Sequence, residues 1–284
     1  MSLPAESEPP ALSAPAGVPL LLRDLLHENT GIYFEPERFD TMLDKLAERA
    51  RVRGCRSYLD YYYLLKYDDP GREEWLRVMD AFSVQETYFW REQGQIAALA
   101  QVLVPRWFER TAAPLKIWSA ACATGEEPIS LGIALREAGW GGRPITIVAS
   151  DASEAALAKA RLGVYRERSF RSLPETLRQK YFEPAERGWR ARTELLPPIE
   201  FRRANLVDPE QVAPLATAPV IFCRNVFIYF SADSIRRTVG LFAQGMPDGG
   251  HLFVGAPESL VKLTDDFELR EMADAFVYER KART

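Results

Sequence analysis

The spacing of hydrophobic residues changes along the chain and predicts two kinds of structure. Between residues 19 and 110 apolar side chains recur every three or four positions, the spacing of one helical face, as in Phe39, Met42, Leu43, Leu46 and Ala50. From residue 115 onward helical segments alternate with short β-rich runs: LKIWSA, ITIVASD, IEFRRANL, VIFCRN, HLFVGA and AFVYER. This alternation predicts an α/β domain whose parallel sheet is covered by helices on both faces.

The same patterns predict the domain boundaries. Residues 1–17 are rich in Pro, Ala and Ser and offer little to bury, so we expect a disordered tail. We predict an all-α domain over residues 18–92, a linker helix over 93–114 and the α/β domain over 115–284. Between residues 164 and 198 the rhythm breaks, and the alternating stretch WRARTELL suits an antiparallel hairpin. A small β-subdomain is therefore expected as an insertion in the α/β domain.

Composition argues against several functional classes. The formal net charge of -4 is unlike the basic surface by which most nucleic-acid-binding proteins neutralise phosphates. No apolar stretch approaches the ~20 residues of a membrane span, and the amino terminus does not resemble a signal peptide, so we expect a cytoplasmic protein. The three cysteines have unrelated spacings, and His27 and His251 lie far from any Ser or Cys cluster. Disulfides, zinc sites and histidine-based hydrolysis are therefore disfavoured.

A short segment, SAACATGEEP at residues 119–128, follows the first predicted strand and leads into a helical pattern. Its alternate positions carry small residues, namely Ser119, Ala121, Ala123 and Gly125. In a doubly wound sheet this first turn approaches ligands bound beyond the carboxyl ends of the strands. Asp151 ends the second predicted strand, where a carboxylate can accept both hydroxyls of a ribose. Turn and acid together predict an adenosine-containing cofactor.

The two acids of the turn discriminate between cofactors. A dinucleotide site uses three glycines so that backbone N–H groups can hold the pyrophosphate, whereas this turn has only Gly125. Glu126 and Glu127 would repel a phosphate. S-adenosylmethionine has no phosphate and carries an ammonium and a sulfonium, which acids stabilise. The chemistry therefore favours a methyl donor, although the two acids could instead only complement the helix dipole.

A basic stripe is predicted in the all-α domain. If the second helix runs unbroken, its positive side chains share one face: Arg38, Lys45, Arg49, Arg53 and Arg56. Such a run is either a solvated surface or a docking site where electrostatic attraction speeds the approach of an acidic helical partner. The sequence alone supports both interpretations.

Several phrases from residue 20 to the carboxyl terminus resemble, in order and spacing, the CheR-type chemotaxis-receptor methyltransferases. They are TYFWRE, IWSAACATGEEPISL, ASDAS, ARLGVY, KYF, ANL, FCRNVFIYF and GAPESL. The resemblance implies a class I, Rossmann-like methyltransferase sheet with an inserted antiparallel β-subdomain, preceded by a small all-α domain. It also implies methylation of glutamate side chains in the cytoplasmic helical domain of chemoreceptors, with S-adenosylmethionine as donor and S-adenosylhomocysteine as product. We expect a monomeric enzyme.

The resemblance also implies roles for individual residues. Arg91 would reach over the cofactor and the incoming acid, and Thr87, one helical turn earlier, would bind the methionine carboxylate. Tyr229 would orient the acceptor carboxylate. The remaining cofactor contacts would come from strand ends, with Glu126 or Glu127 on the ammonium, Asp151 on the ribose, Asn205 and Leu206 around the adenine, and Asn225 and Val226 beside the methyl group. A solvated Arg91, a simple turn at Asn205 and a core Tyr229 are the alternatives.

This chain departs from the family pattern in two places. GAPE at residues 255–258 replaces the usual GHSE, which could alter the hydrogen bonds of that loop, and Gln85 replaces an Asn. Because of the first change, a second interpretation is a catalytically silent adaptor protein, which need not bind the cofactor. A methyltransferase for another substrate is a third reading, in which the basic stripe would have no purpose. In some relatives the inserted hairpin pairs with a short peptide at the receptor's carboxyl terminus. The connection EPAERG looks shorter than in those relatives, so we predict an enzyme that is independent of a receptor tail peptide.

Overall fold

The computed structural model describes residues 12–282 and divides the chain into two compact units. One unit contains the chain up to Glu28 together with Tyr33–Phe82, and the other contains Asn29–Ile32 and everything from Ser83 onward. Most of the predicted disordered tail lies outside the described residues. Within the described part, Ser13 forms an isolated parallel bridge with Ser57, and its carbonyl accepts a hydrogen bond from the Tyr58 N–H.

The first unit is helical, as its hydrophobic spacing predicts. Its helices are α1 (Val18–Thr30), which crosses into the second unit, α2 (Phe39–Val52), α3 (Tyr58–Tyr67) and α4 (Glu73–Phe82). A capping box begins α3, in which Ser57 and Asp60 bond each other's backbone N–H groups. Glu74 of α4 is 1% exposed, yet Arg49, Arg53 and Tyr61 all bond its carboxylate. This buried charge cluster ties α2, α3 and α4 together.

The segment before the predicted linker helix differs from expectation. The linker itself is helical, with α5 (Gln93–Ala98), a π-helical stretch (Leu99–Leu103) and α6 (Val104–Arg110). Residues 83–92, however, form no helix, and Trp90 and Glu92 adopt positive φ values of 67° and 55°. Thr87 and Arg91 therefore do not share a helical face, and both belong to the second unit. The apolar residues of segment 83–92 have a spacing that resembles a helical period. The segment is not helical, however, and is held to the rest of the unit at separate points.

The second unit contains two sheets. Its strands are β1 (Leu115–Ala120), β2 (Ile145–Asp151), β3 (Val164–Tyr165), β4 (Phe182–Ala185), β5 (Gly188–Ala191), β6 (Ile199–Arg203), β7 (Val220–Cys223), β8 (His251–Phe253), β9 (Phe267–Met272) and β10 (Ala275–Arg280). The large sheet has the order β6-β2-β1-β7-β8-β10-β9, and the small one has the order β3-β5-β4. The first five strands of the large sheet are parallel, but β10 is antiparallel to β8 and β9. The sheet is thus mixed rather than wholly parallel.

Helices cover both faces of the large sheet. They are α7 (Glu126–Glu137), α8 (Glu154–Leu162), α9 (Glu175–Tyr181), α10 (Pro209–Val212) and α11 (Ala232–Gly245), and α9 belongs to the small insertion. Neighbouring residues of β1 point to opposite faces, so Trp118 packs in a cluster with Phe242 of α11, and Ile117 packs in another with Leu131 of α7. The predicted α/β sheet and the separate antiparallel β-subdomain are confirmed.

The register of the strands brings the predicted site residues to one edge. Ala120 at the end of β1 pairs with Ser150 of β2 and with Cys223 of β7. The three carboxyl ends therefore meet, and the segments that follow them lie side by side. Among residues 12–282, no helix combines the length and the apolarity needed to cross a membrane.

Candidate functional site

The bend after β1 is built from alternating left-handed residues. Ala121, Ala123 and Gly125 have φ values of 56°, 47° and 94°. A left-handed conformation costs an L-residue roughly 1–2 kcal/mol, and small side chains keep the crowding low. At Gly125 an added Cβ would lie 3.0 Å from both Ala160 Cβ and the Tyr165 hydroxyl. The bend thus folds tightly enough for its backbone to approach a ligand.

Asp151 holds this bend in place. Its Oδ2 accepts a hydrogen bond from Ala123 N at 2.9 Å, and its Oδ1 accepts one from Ser153 N at 2.8 Å. The side chain is nearly buried, with 8% exposed. A carboxylate has about four lone-pair sites, so these two bonds do not by themselves exhaust the capacity of Asp151 as an acceptor. Asp151, the predicted acceptor of the ribose hydroxyls, therefore also holds the bend after β1 in place.

The two adjacent glutamates have different surroundings. Glu127 accepts hydrogen bonds from Ser119 Oγ on β1 at 2.6 Å and from Arg224 Nε after β7 at 2.7 Å. It therefore lies where the carboxyl ends of β1 and β7 meet. Glu126 is turned elsewhere, accepting from Thr124 Oγ1 at 2.6 Å and from Ser169 Oγ of the small insertion at 2.9 Å. Glu127 therefore faces the junction of β1 and β7, whereas Glu126 faces the small insertion.

Burial raises the pKa of the Glu126 carboxyl, because desolvation outweighs the hydrogen bonds from Thr124 and Ser169. A raised folded pKa favours the protonated form, so its stabilising contribution is fully present below the unfolded pKa and is lost as pH rises through the folded pKa. At neutral pH the ionised form of this buried side chain therefore costs stability.

Replacing Glu126 by glutamine is expected to raise the thermal midpoint at pH 7, because glutamine removes a buried charge while its amide can still bond both hydroxyls. The gain should shrink as pH falls through the raised folded pKa of Glu126, because the wild-type side chain is then neutral as well. Differential scanning calorimetry from pH 4 to 8 measures the effect, with the exposed Glu271→Gln as control. A midpoint below that of wild type at pH 7 would contradict the argument.

Arg224 is a site residue that the sequence analysis missed. Its guanidinium is 7% exposed, pairs with Glu127, and donates from Nη1 to the Arg91 carbonyl at 2.9 Å and to Gln95 Oε1 at 3.3 Å. Glu92 lies 3.7 Å from the same nitrogen. A charged residue directly after the apolar run VIFC was the available signal. Arg224 therefore links Glu127 to the backbone of Arg91.

Glu258 was also missed and is the last residue of the divergent GAPE segment. Its Oε1 accepts from the N–H groups of Phe227 at 2.6 Å and Ile228 at 3.3 Å. Its Oε2 accepts from Asn225 at 2.7 Å and Gly255 at 2.6 Å. One buried carboxylate therefore fixes both the loop after β7 and the loop after β8. Ala256 and Pro257 supply none of these four bonds.

The two predicted catalytic residues border this edge. Arg91 is half-buried, donates from Nη1 to the Glu86 carbonyl at 3.3 Å, and lies 5.4 Å from the centroid of the Tyr88 ring. Tyr229 is half-buried in the short turn Phe227–Tyr229, whose first N–H bonds to Glu258. Thr87 is half-buried in the irregular segment before Arg91.

The residues predicted around the adenine and the methyl group are partly engaged in the fold. Asn205 donates from Nδ2 to the Asn29 carbonyl at 2.7 Å and accepts from Val207 N at 3.3 Å, which gives it a local turn role as well. Leu206 is 6% exposed in the core beside α11, and Val226 packs against the same cluster. Asn225 has a φ of 60°, with its Nδ2 close against Gly255.

The basic stripe lies in the first unit and is not uniformly free. Arg49 and Arg53 bond buried Glu74, and Lys45 Nζ donates to the Ala81 carbonyl at 3.1 Å. Arg38 ends a 3₁₀ turn and Arg56 follows α2, so the helix does not carry all five residues. Both side chains are exposed. Three residues of the stripe therefore also stabilise the first unit, and the other two, Arg38 and Arg56, are surface cations.

The chain matches two family models that together cover most of it. "CheR methyltransferase, all-alpha domain" matches residues 20–83, and "CheR methyltransferase, SAM binding domain" matches residues 85–276. Chemotaxis protein methyltransferase 2 of Vibrio cholerae serotype O1 is 33% identical, covering 90% of each chain. Chemotaxis protein methyltransferase 1 of Pseudomonas aeruginosa is 31% identical over 92% of this chain and 97% of its own. The relative from Klebsiella aerogenes is 32% identical over 88% and 85%. This chain belongs to the CheR methyltransferase family.

Proposed function

We propose that this protein transfers the methyl group of S-adenosylmethionine to glutamate side chains of chemoreceptors, yielding glutamate methyl esters and S-adenosylhomocysteine. The observation that carries the proposal is the position of Glu127, at the meeting point of β1 and β7 and next to the tight bend. An acid there accepts a cation and repels a phosphate. The names of the three relatives support a chemotaxis role. We also propose a monomer acting in the cytoplasm.

The cofactor would lie along the carboxyl edge of the sheet. Glu127, rather than Glu126, would receive the methionine ammonium, because only Glu127 faces the junction of β1 and β7. Asp151 would accept the ribose hydroxyls beside Ala121 and Gly125. The remaining contacts follow the predicted assignments, with Thr87 at the methionine carboxylate, Asn205 and Leu206 at the adenine, and Asn225 and Val226 near the sulfonium.

The chemistry requires alignment more than proton transfer. A glutamate of ordinary pKa, ~4.3, is ionised about 500-fold over its neutral form at pH 7, so the nucleophile needs no base. Its oxygen attacks the methyl carbon while the carbon–sulfur bond breaks, and both charges disappear. A strong charge fixed on the attacking oxygen would favour the ground state. Tyr229 would supply a neutral donor, while Arg91 would close over the reactants and help exclude water.

The decisive experiment incubates the protein with methyl-labelled S-adenosylmethionine and the cytoplasmic fragments of chemoreceptors from the same organism. The expected result is a base-labile label on glutamate. Label that survives base, or label only on a small molecule, contradicts the proposal. Titration calorimetry with S-adenosylhomocysteine distinguishes the enzyme from a silent adaptor, because the enzyme must bind this product and an adaptor need not. The Glu258 contacts argue against that adaptor, because GAPE preserves the carboxylate that fixes both loops.

We propose that the activity is independent of a receptor tail peptide. The two strands of the hairpin, β4 and β5, are separated by only Glu186 and Arg187, so little chain projects beyond the small sheet. Receptor fragments with and without their carboxyl-terminal segment should be methylated with KM values within about twofold. Calorimetric titration of the tail peptide alone should show no micromolar binding, and such binding would contradict this proposal.

We propose that the basic stripe of the first unit assists docking through its two exposed members that do not bond Glu74, Arg38 and Arg56. Arg38→Glu and Arg56→Glu together should raise KM for a receptor fragment several-fold, because they reverse two exposed charges without touching Glu74. Arg49→Glu is unsuitable, since it would expel the partner of a buried carboxylate. Unchanged KM for the double variant, with unchanged folding by circular dichroism, would assign the stripe to solvation only.

A further inference from the structure

Two guanidinium groups approach the same aromatic ring beside the proposed acceptor site. The Arg171 Cζ lies 3.8 Å from the centroid of the Tyr88 ring, and the Arg91 Cζ lies 5.4 Å from it. Cation–π attraction holds a guanidinium on a ring face at such distances. Both guanidinium groups therefore contact the Tyr88 ring, Arg171 more closely than Arg91.

Within residues 12–282, neither cation has a carboxylate closer than 3.8 Å. Arg91 donates to a backbone carbonyl, and Arg171 has only Glu86 at 3.8 Å, in a pair whose side chains are 47% and 77% exposed. Exposed pairs of this kind contribute little, because water and salt screen them. By contrast, Arg178 in the same insertion forms a bidentate pair with Glu167 at 2.6 Å. The charge of Arg171 is thus available to an incoming anion.

The segments that carry Tyr88 and Arg171 are joined by buried packing and hydrogen bonds. Phe89, next to Tyr88, is fully buried and donates its N–H to the carbonyl of Ser169, two residues before Arg171, at 2.9 Å. Phe170 packs on Phe89 with ring centroids 5.1 Å apart. The Trp90 N–H bonds to Ser130 Oγ at 3.0 Å. Tyr88 and Arg171 therefore keep their relative position without help from a ligand.

We propose that Arg171, stacked on Tyr88, pairs with a second carboxylate on the acceptor segment, flanking the glutamate that is methylated. This inference rests on the proposed function and names how the site selects an acidic segment. The local charge fits it, because residues 159–194 hold ten Lys and Arg against five Glu in a chain of net charge -4. An acidic helix would be attracted to this positively charged segment, whereas the chain as a whole is acidic.

The kinetic role of Arg171 follows from which charge the reaction removes. Methyl transfer neutralises the acceptor carboxylate but leaves the flanking one ionised. A pair between Arg171 and the flanking carboxylate is therefore equally strong before and during the reaction. Such uniform binding lowers KM and leaves kcat unchanged. Arg171 is accordingly a specificity-determining residue.

The test measures methylation of a chemoreceptor cytoplasmic fragment that the wild-type enzyme modifies. Arg171→Glu should raise KM for the fragment at least tenfold at low salt, with kcat and the affinity for S-adenosylhomocysteine within twofold of wild type. Arg171→Lys should be intermediate, because it keeps the charge and loses the planar stack. The matched control is Arg190→Glu, an exposed arginine of β5 in the same insertion that donates only to the Leu162 carbonyl.

The outcomes separate this inference from the proposed function. If wild type methylates the fragment and Arg171→Glu has the wild-type KM, or shifts it no more than Arg190→Glu, the inference is overturned and the function stands. A fall in kcat with constant KM also overturns it. If wild type binds S-adenosylhomocysteine but modifies no receptor glutamate, both fail together. Raising the salt concentration should shrink the KM difference, since the pair is exposed.

Discussion

Glu258→Gln is expected to lower turnover and the affinity for S-adenosylhomocysteine by at least a hundredfold. Each oxygen of Glu258 accepts two backbone N–H groups, and the glutamine amide nitrogen would face two of these donors without accepting from them. Leaving a buried donor unsatisfied costs roughly 1–3 kcal/mol. The loop that carries Asn225, Val226 and Tyr229 would then lose its position.

Calorimetric titration and receptor methylation measure this effect, and circular dichroism shows whether the remaining fold persists. Glu271→Gln is the matched control, because it makes the same chemical change on the exposed face of β9. Wild-type cofactor affinity in Glu258→Gln would show that the two loops hold their shape without this carboxylate. That result would remove Glu258 from the site.

Glu127→Gln is expected to weaken S-adenosylhomocysteine binding about a hundredfold, whereas Glu126→Gln should change it less than threefold. Glu127 would lose the charge that receives the ammonium. It would also deprive the buried Arg224 guanidinium of its hydrogen-bonded carboxylate, leaving two neutral acceptors, the Arg91 carbonyl and Gln95, and the more distant Glu92 at 3.7 Å. Breaking a buried pair costs about 3–5 kcal/mol, so the variant should also have a lower thermal midpoint.

A cofactor analogue lacking the amino group separates the two consequences of this change. If Glu127 binds the ammonium, the deaminated analogue should bind wild type weakly and should lose much less affinity in Glu127→Gln. Equal losses for both ligands would mean that Glu127 acts only through Arg224. A greater loss in Glu126→Gln would reverse the assignment of the two acids.

The sequence predicted the elements of this fold that carry a regular period. The apolar faces of α2 and the short runs of β1, β2 and β10 are where the pattern placed them. β9 was not predicted, because its four central residues are exposed and give no alternation. Residues 83–92 were misread as helix, since buried Phe89 and its neighbours mimic helical spacing while bonding to Ser169 and Ser130.

The site was predictable where residue type alone implies chemistry. Small residues and Asp151 at strand ends indicated the bend and its acid. Which glutamate faces the cleft was not predictable, because adjacent helical residues point about 100° apart and only the packed fold sets the direction. Glu258 lacked a local signal, since its four donors come from two separate loops. Arg224 stood in the quoted FCRNVFIYF phrase without an evident partner.

The alternating left-handed backbone at Ala121, Ala123 and Gly125 has a consequence for how this family of sites can vary. The unfavourable dihedral angles are adopted when the chain folds, before any nucleoside arrives, so the ligand meets a surface already in its final shape. Branched side chains at these positions would therefore compromise the yield of folded protein first and substrate recognition only second. At these three positions, foldability therefore restricts the side chain more tightly than the ligand does.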